Sequence, residues 1–120
     1  MSQEPRKHKV ADHFKKDAAP SVSQTYKKLI GVVGKFGPFA EAAKKTSIHL
    51  DNKTAFAAVY VRRSYINLVV KANHQITSPR VLKTEQLSRN RFYHTVKLVS
   101  EADIDKELIG WIKDAYVLSQ

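Results

Sequence analysis

The sequence predicts a two-layer α+β domain: an antiparallel sheet of three to four strands with an N-terminal and a C-terminal helix packed on it. Three observations carry this. An apolar stripe at helical period follows residue 20, a second one closes the chain, and the segment between them holds runs rich in Val, Ile, Tyr and Phe. Strands joined by short local connections pair antiparallel. Two amphipathic helices bury their stripes most simply against one face of such a sheet.

Residues 1–20 mix charge with Ala18-Ala19-Pro20 and lack strong periodicity. They read as a flexible basic and polar arm ahead of a single α+β domain over 21–120. A short helical turn at Val10–Phe14 would place two apolar residues at i, i+4, able to clip onto the domain. Ser21 or Ser23 can cap the first helix. Val22, Tyr26, Leu29, Ile30 and Val33 then form one stripe, and Gly34, Gly37 and Pro38 end it. Residues 39–45 read either way: Ala-Glu-Ala-Ala favours helix, but a strand follows at Thr46–Leu50. A turn cluster comes next at Asp51-Asn52-Lys53.

Thr54–Val61 and Ser64–Lys71 are the clearest strands, joined by a hairpin turn at Arg62-Arg63. That turn has no Gly or Asn, so a loop that also includes Val61 or Ser64 is expected. The register then stays open by one residue, and one residue inverts the faces. In Ser64–Lys71 the residues Ile66, Leu68 and Val70 face the core. Tyr65, Asn67, Val69 and Lys71 face out. The connection 72–91 is long enough to hide an element, and Arg80–Leu87 reads as a helical turn or an edge strand. Phe92–Ser100 is another strand, with Phe92, His94, Val96 and Leu98 on one face. Ser100 is placed to cap the last helix, with acids in its first turn. Its stripe is Ile104, Leu108, Trp111, Ile112 and Ala115, with Trp111 in the core.

Composition narrows the function. The 120 residues carry 21 Lys and Arg against 11 Asp and Glu, a formal charge of +10, with no Cys. The excess is local: residues 26–97 hold fourteen Lys and Arg against three acids, a net of +11, while 98–120 hold two against five. A basic surface on a folded unit can hold a polyanion in register, whereas a charged tail merely attracts one. The bland alternative is a solvated surface that keeps a small protein soluble. Without Cys there are no disulfides, thiolate zinc sites or cysteine nucleophiles. The five His lack metal spacing, no phosphate-binding Gly loop follows a strand, and no nucleophile elbow is present. No cofactor, metal or catalytic group is expected. The absence of a secretory apolar segment or a membrane-length run fits a cytoplasmic protein off the membrane, as a monomer or weak dimer.

Several short motifs occur in order: Lys45-Thr46-Ser47-Ile48, Ala55-Phe56-Ala57-Ala58-Val59, Ser78-Pro79-Arg80, then Ser88-x-x-Arg91-Phe92-x-His94-x-Val96-x-Leu98. Asp105-x-x-Leu108-x-x-Trp111-x-x-x-Ala115-Tyr116 completes the series. Over about residues 10–118 this pattern resembles a bacterial family catalogued as domain of unknown function five-six-five-five. More distantly it is similar to the MmcQ/YjbR-like group. The first resemblance implies no activity; the second implies a compact α/β fold and a suggested role in DNA binding.

The residues singled out for an anion or nucleic-acid surface are Arg62, Arg63, Arg80, Arg89 and Arg91, with His94, Lys45 and Lys97. Arg presents a planar fork suited to phosphate, and Lys adds point charge. Each has a plainer reading. His94 shares parity with Val96 and Leu98, so it can be a buried His satisfied by the backbone. Arg80 can pair with the acids of the last helix. Phe56, Tyr60, Tyr65 and Tyr93 form an outer stacking platform in one hairpin register. In the other, Phe56 and Tyr60 lie under the helices. The leading expectation is a non-enzymatic binding module for nucleic acid or another polyanion. A protein-interaction module using the hairpin edge or outer sheet face is the alternative, and an enzyme acting on a small anion has the least support.

Overall fold

A computed structural model describes residues 9–14 and 18–120. Helix α1 (Pro20–Gly34) precedes a run of strands: β1 (Ala40–Ala43), β2 (Ile48–Asp51), β3 (Ala55–Val61), β4 (Ile66–Ala72), β5 (Val81–Ser88) and β6 (Arg91–Leu98). Helix α2 (Lys106–Leu118) follows, and 3-10 turns occupy Val10–His13 and Glu101–Asp103. The strands form one antiparallel sheet in the order β1-β2-β3-β4-β6-β5. Among the described residues no helix is long and apolar enough to cross a membrane.

The sheet therefore has six strands, not the three to four expected, although the two-helix α+β architecture stands. Both additional strands lie at the edges. β1 is the Ala-Glu-Ala-Ala segment, which prefers helix by itself but is recruited as a strand by pairing with β2. β5 has no apolar alternation: every residue after Val81 is exposed, so nothing in its pattern separates strand from loop.

The helix starts also differ from expectation. α1 begins at Pro20, whose fixed φ and missing N–H suit the first helical position; its cap residue is Ala19 rather than a serine. The Ala19 N–H donates to the Arg63 carbonyl at 2.7 Å, tying the helix start to the β3–β4 loop. Ser100 opens the Glu101–Asp103 turn instead of α2. The cap of α2 is Asp105, whose carboxylate accepts the Leu108 N–H at 3.0 Å.

One face of the sheet carries Ile48, Leu50, Val59, Ile66, Leu68, Val70, Val96 and Leu98, all buried with Leu29 and Val33 of α1 and Leu108 and Ile112 of α2. Val10 and Phe14, within the predicted arm, pack against this core, and the Phe14 ring lies 5.2 Å from that of Tyr26. Residues 1–8 and 15–17 of that arm lie outside the described residues. Trp111, expected in the core, is only partly buried at its margin.

The β3–β4 connection is a four-residue loop over 62–65, closed by the Arg62 N–H on the Tyr65 carbonyl at 2.9 Å. It pairs Tyr60 with Asn67 and Val59 with Leu68. A bulge between β2 and β3 then separates two aromatics that share strand parity. Leu50 pairs with Ala57 and Asp51 with Ala55, which leaves Phe56 as the extra residue. Phe56 turns into the core, edge-on to Tyr116 at 5.3 Å, while Tyr60 stays on the opposite face. Gly37, at φ 145°, lies against Tyr116: a Cβ there would meet the phenol oxygen at 2.5 Å. That hydroxyl donates to the Pro38 carbonyl at 2.8 Å, fastening α2 to the α1–β1 connection.

Candidate functional site

Side chains alternate across a pleated sheet, so each core residue has neighbours on the other face. That face is open. It holds a cavity of about 430 Å³ bordered by sheet residues and the β3–β4 loop, with no helical residue in its lining. Register explains the cavity. One row across the strands runs His49, Ala58, Val69, Thr95, Lys83, giving a floor of small and middle-sized groups. Tyr60 and Tyr93 stand on neighbouring rows as walls, with Arg62 at the loop end and Glu85 beside Tyr93. Bulges in β5 and between β2 and β3 add twist and curl to the sheet around it.

The open face is basic and aromatic. Arg62 lies over the Tyr60 ring at 5.9 Å, and the Lys97 ammonium over the Tyr65 ring at 4.4 Å. Lys71, Lys83, Arg91 and Lys97 occupy its strand positions, against the acids Asp51 and Glu85. Asn67 sits between Tyr60 and Lys97 in the register, and its buried Oδ1 has no hydrogen-bond partner among the described residues. Tyr93 has no ring contact or hydrogen bond among them either, so its ring is available to a ligand.

The residues predicted to bind anions are not all brought together. Arg62 and Lys97 meet at one end of the open face. Arg91 lies at the other, six residues from Lys97 along β6, or roughly 20 Å at about 3.3 Å per residue. Arg63 belongs to the same loop as Arg62, and Arg89 to the exposed β5–β6 turn. Lys45 is in the β1–β2 connection, toward the far edge of the sheet from Arg89.

Arg80 is on the helix side. Its guanidinium donates to Asp105 at 2.8 Å, to Glu107 at 3.3 Å and to the Asp103 carbonyl at 2.6 Å, and stacks over Trp111 at 5.9 Å. Its fork is thus occupied by the acids of the last helix. The Leu108 N–H, and with it Arg80, holds the Asp105 carboxyl below the usual range.

His94 is fully buried on the core face, stacked on Phe92 with ring centres 6.2 Å apart. The Ile76 N–H donates to Nε2 at 2.9 Å, so Nε2 carries no proton and the neutral ring holds its proton on Nδ1. Burial, and secondarily the neighbouring charge of His74, pushes its pKa below the ordinary value. It fastens the 73–79 connection to β6 and does not face the open side.

Sequence reasoning missed His49, Asn67 and Lys71 as members of the site. Each becomes visible only through cross-strand register, since the residues of a row are distant along the chain. Lys71, expected to face out, does lie on the open face, but it is buried there, only 3% exposed. Among the described residues no group of three His, Asp or Glu could hold a metal ion.

No curated protein and no solved structure matches this chain. A family model does, described as "Domain of unknown function (DUF5655)", over residues 10–119. That span takes in every strand and both helices, so the open face belongs to the matched region throughout. The chain is a member of the DUF5655 family of domains of unknown function.

Proposed function

We propose that this domain binds single-stranded nucleic acid on the open face of its sheet, without catalysing a reaction. The observation that supports it is the convergence of Tyr60, Tyr65 and Tyr93 with Arg62, Lys97, Lys83 and Arg91 on one helix-free surface. Aromatic rings accept stacked bases of any sequence, while the interleaved cations neutralise phosphates. A duplex presents its bases edge-on in its grooves and offers no base face to the rings, so the single strand is the better fit.

The alternative of a protein-interaction module has one feature behind it, the exposed outer edge of β5 with Leu82 and Leu87 more than half exposed. Yet β5 is bulged at both ends and carries Lys83 and Glu85, features that discourage edge pairing.

The test is binding of a labelled single-stranded oligonucleotide across a salt series. Affinity is expected to fall steeply with salt, and Tyr93→Ala to weaken it by about 1–3 kcal/mol while leaving unfolding unchanged. Retention on a DNA resin no stronger than that of an unrelated protein of equal charge would sink the proposal.

A further inference from the structure

We infer that the Lys71 end of the open face is a subsite for a terminal phosphate, so that a bound strand is held by its phosphorylated end. This rests on the reading of that face as a nucleic-acid surface. Lys71 is 3% exposed, and its ammonium donates to the Thr54 hydroxyl at 3.0 Å. An ammonium has three donors. Among the described residues no carboxylate lies within ion-pair distance of this one. The charge that acts on it is another cation, Arg91; burial first, and then Arg91, lowers its pKa from the ordinary lysine value.

A buried cation without a counter-ion, beside a like charge, is costly to keep. An anion between Lys71 and Arg91 removes that cost. The position adjoins the cavity without lining it: Tyr93, the cross-strand partner of Lys71, borders the cavity, and so does Ala55, the residue after Thr54.

The kind of anion follows from charge and access. Two cations and a hydroxyl match a phosphate monoester, which carries about −1.5 to −2 charges and three acceptor oxygens. An internal phosphodiester carries a single charge. A chain passing through would also have to bring nucleotides on both sides of its phosphate to an almost inaccessible ammonium, whereas an end group enters alone. The base next to that phosphate then falls beside Tyr93.

The experiment compares one short oligonucleotide in three forms, 5′-phosphorylated, 3′-phosphorylated and unphosphorylated, by fluorescence anisotropy at fixed salt. One phosphorylated form is expected to bind about tenfold tighter than the unphosphorylated one. Lys71→Met should abolish that difference, lowering the affinity for the phosphorylated form far more than that for the unphosphorylated one. Thr54→Ala, at an exposed position, should reduce it with the fold intact. Equal affinity for all three forms overturns the subsite and leaves the nucleic-acid reading standing. So does a preference that survives in Lys71→Met. If no oligonucleotide binds, the wider reading fails, and an NMR titration with inorganic phosphate decides the subsite alone. Shifts confined to Thr54, Lys71 and Arg91 support it; their absence overturns it.

Discussion

On the helix-covered face of the sheet, the central strands present Ile48, Val59, Leu68 and Leu98, each fully buried. On the opposite face the adjacent residues are His49, Tyr60, Asn67 and Lys97. The two sets share a backbone and a hydrogen-bond ladder, yet packing dictates only the first. An antiparallel sheet with one wet face needs polar residues there, but not tyrosines paired with cations around a cavity. The surplus of aromatic rings and positive charge on the open side is therefore where function is to be sought, and the buried His94 and the ion-paired Arg80 belong to the architecture.

The largest effect that would sharpen this contrast is in the core. Leu68→Ala should cost about 2–5 kcal/mol in urea unfolding. A loss below about 1 kcal/mol would mean the covered face is not the tightly packed one. Gly37→Ala comes next, at about 1–3 kcal/mol, because the backbone angle is strained for an L side chain and the Tyr116 hydroxyl occupies the space. Retained stability would show that Tyr116 can leave the Pro38 carbonyl freely.

His94 makes a pH prediction. Its ring is neutral in the fold and its pKa there lies below that of the unfolded chain. Above about pH 6.5 neither state takes a proton at this residue, so stability is full. As the pH falls below that value the unfolded chain binds a proton first, and stability drops until the folded pKa is reached. His94→Gln should flatten the unfolding midpoint between about pH 7 and about pH 5, and an unaltered slope would assign the dependence to other groups. Arg80→Ala stands last, at about 1 kcal/mol. Its oligonucleotide affinity should match the parent chain, since its guanidinium is committed to Asp105 and Glu107. A marked loss of affinity would place the ligand on the helix side and undo the comparison of the two faces.

Much of the covered face was legible because burial writes a period. The stripes of both helices, apart from the partly buried Ile30 and Trp111, and the alternation of Phe92, His94, Val96 and Leu98 recur in the structure as buried sets. The edge strands were not legible. In β1 intrinsic propensity points to helix, and in β5 neither face is buried, so no alternation is imposed. The open face was half legible. Tyr60, Tyr65 and Tyr93 could be named, but whether Phe56 joined them depended on a bulge that the sequence does not mark. Lys71 shows the same limit: parity gave its side of the sheet, and only the surrounding fold shows that it is buried and lacks a carboxylate partner.

The strand order has a consequence for synthesis. β4 pairs on one side with β3, which precedes it, and on the other with β6, which emerges only after β5 and the 73–79 connection. A nascent chain that has finished β4 thus carries a naked hydrogen-bonding edge until about twenty more residues have left the ribosome, and α2 is later still. During that interval the growing polypeptide is most exposed to pairing with a neighbour's strand, and a chaperone would have most to protect.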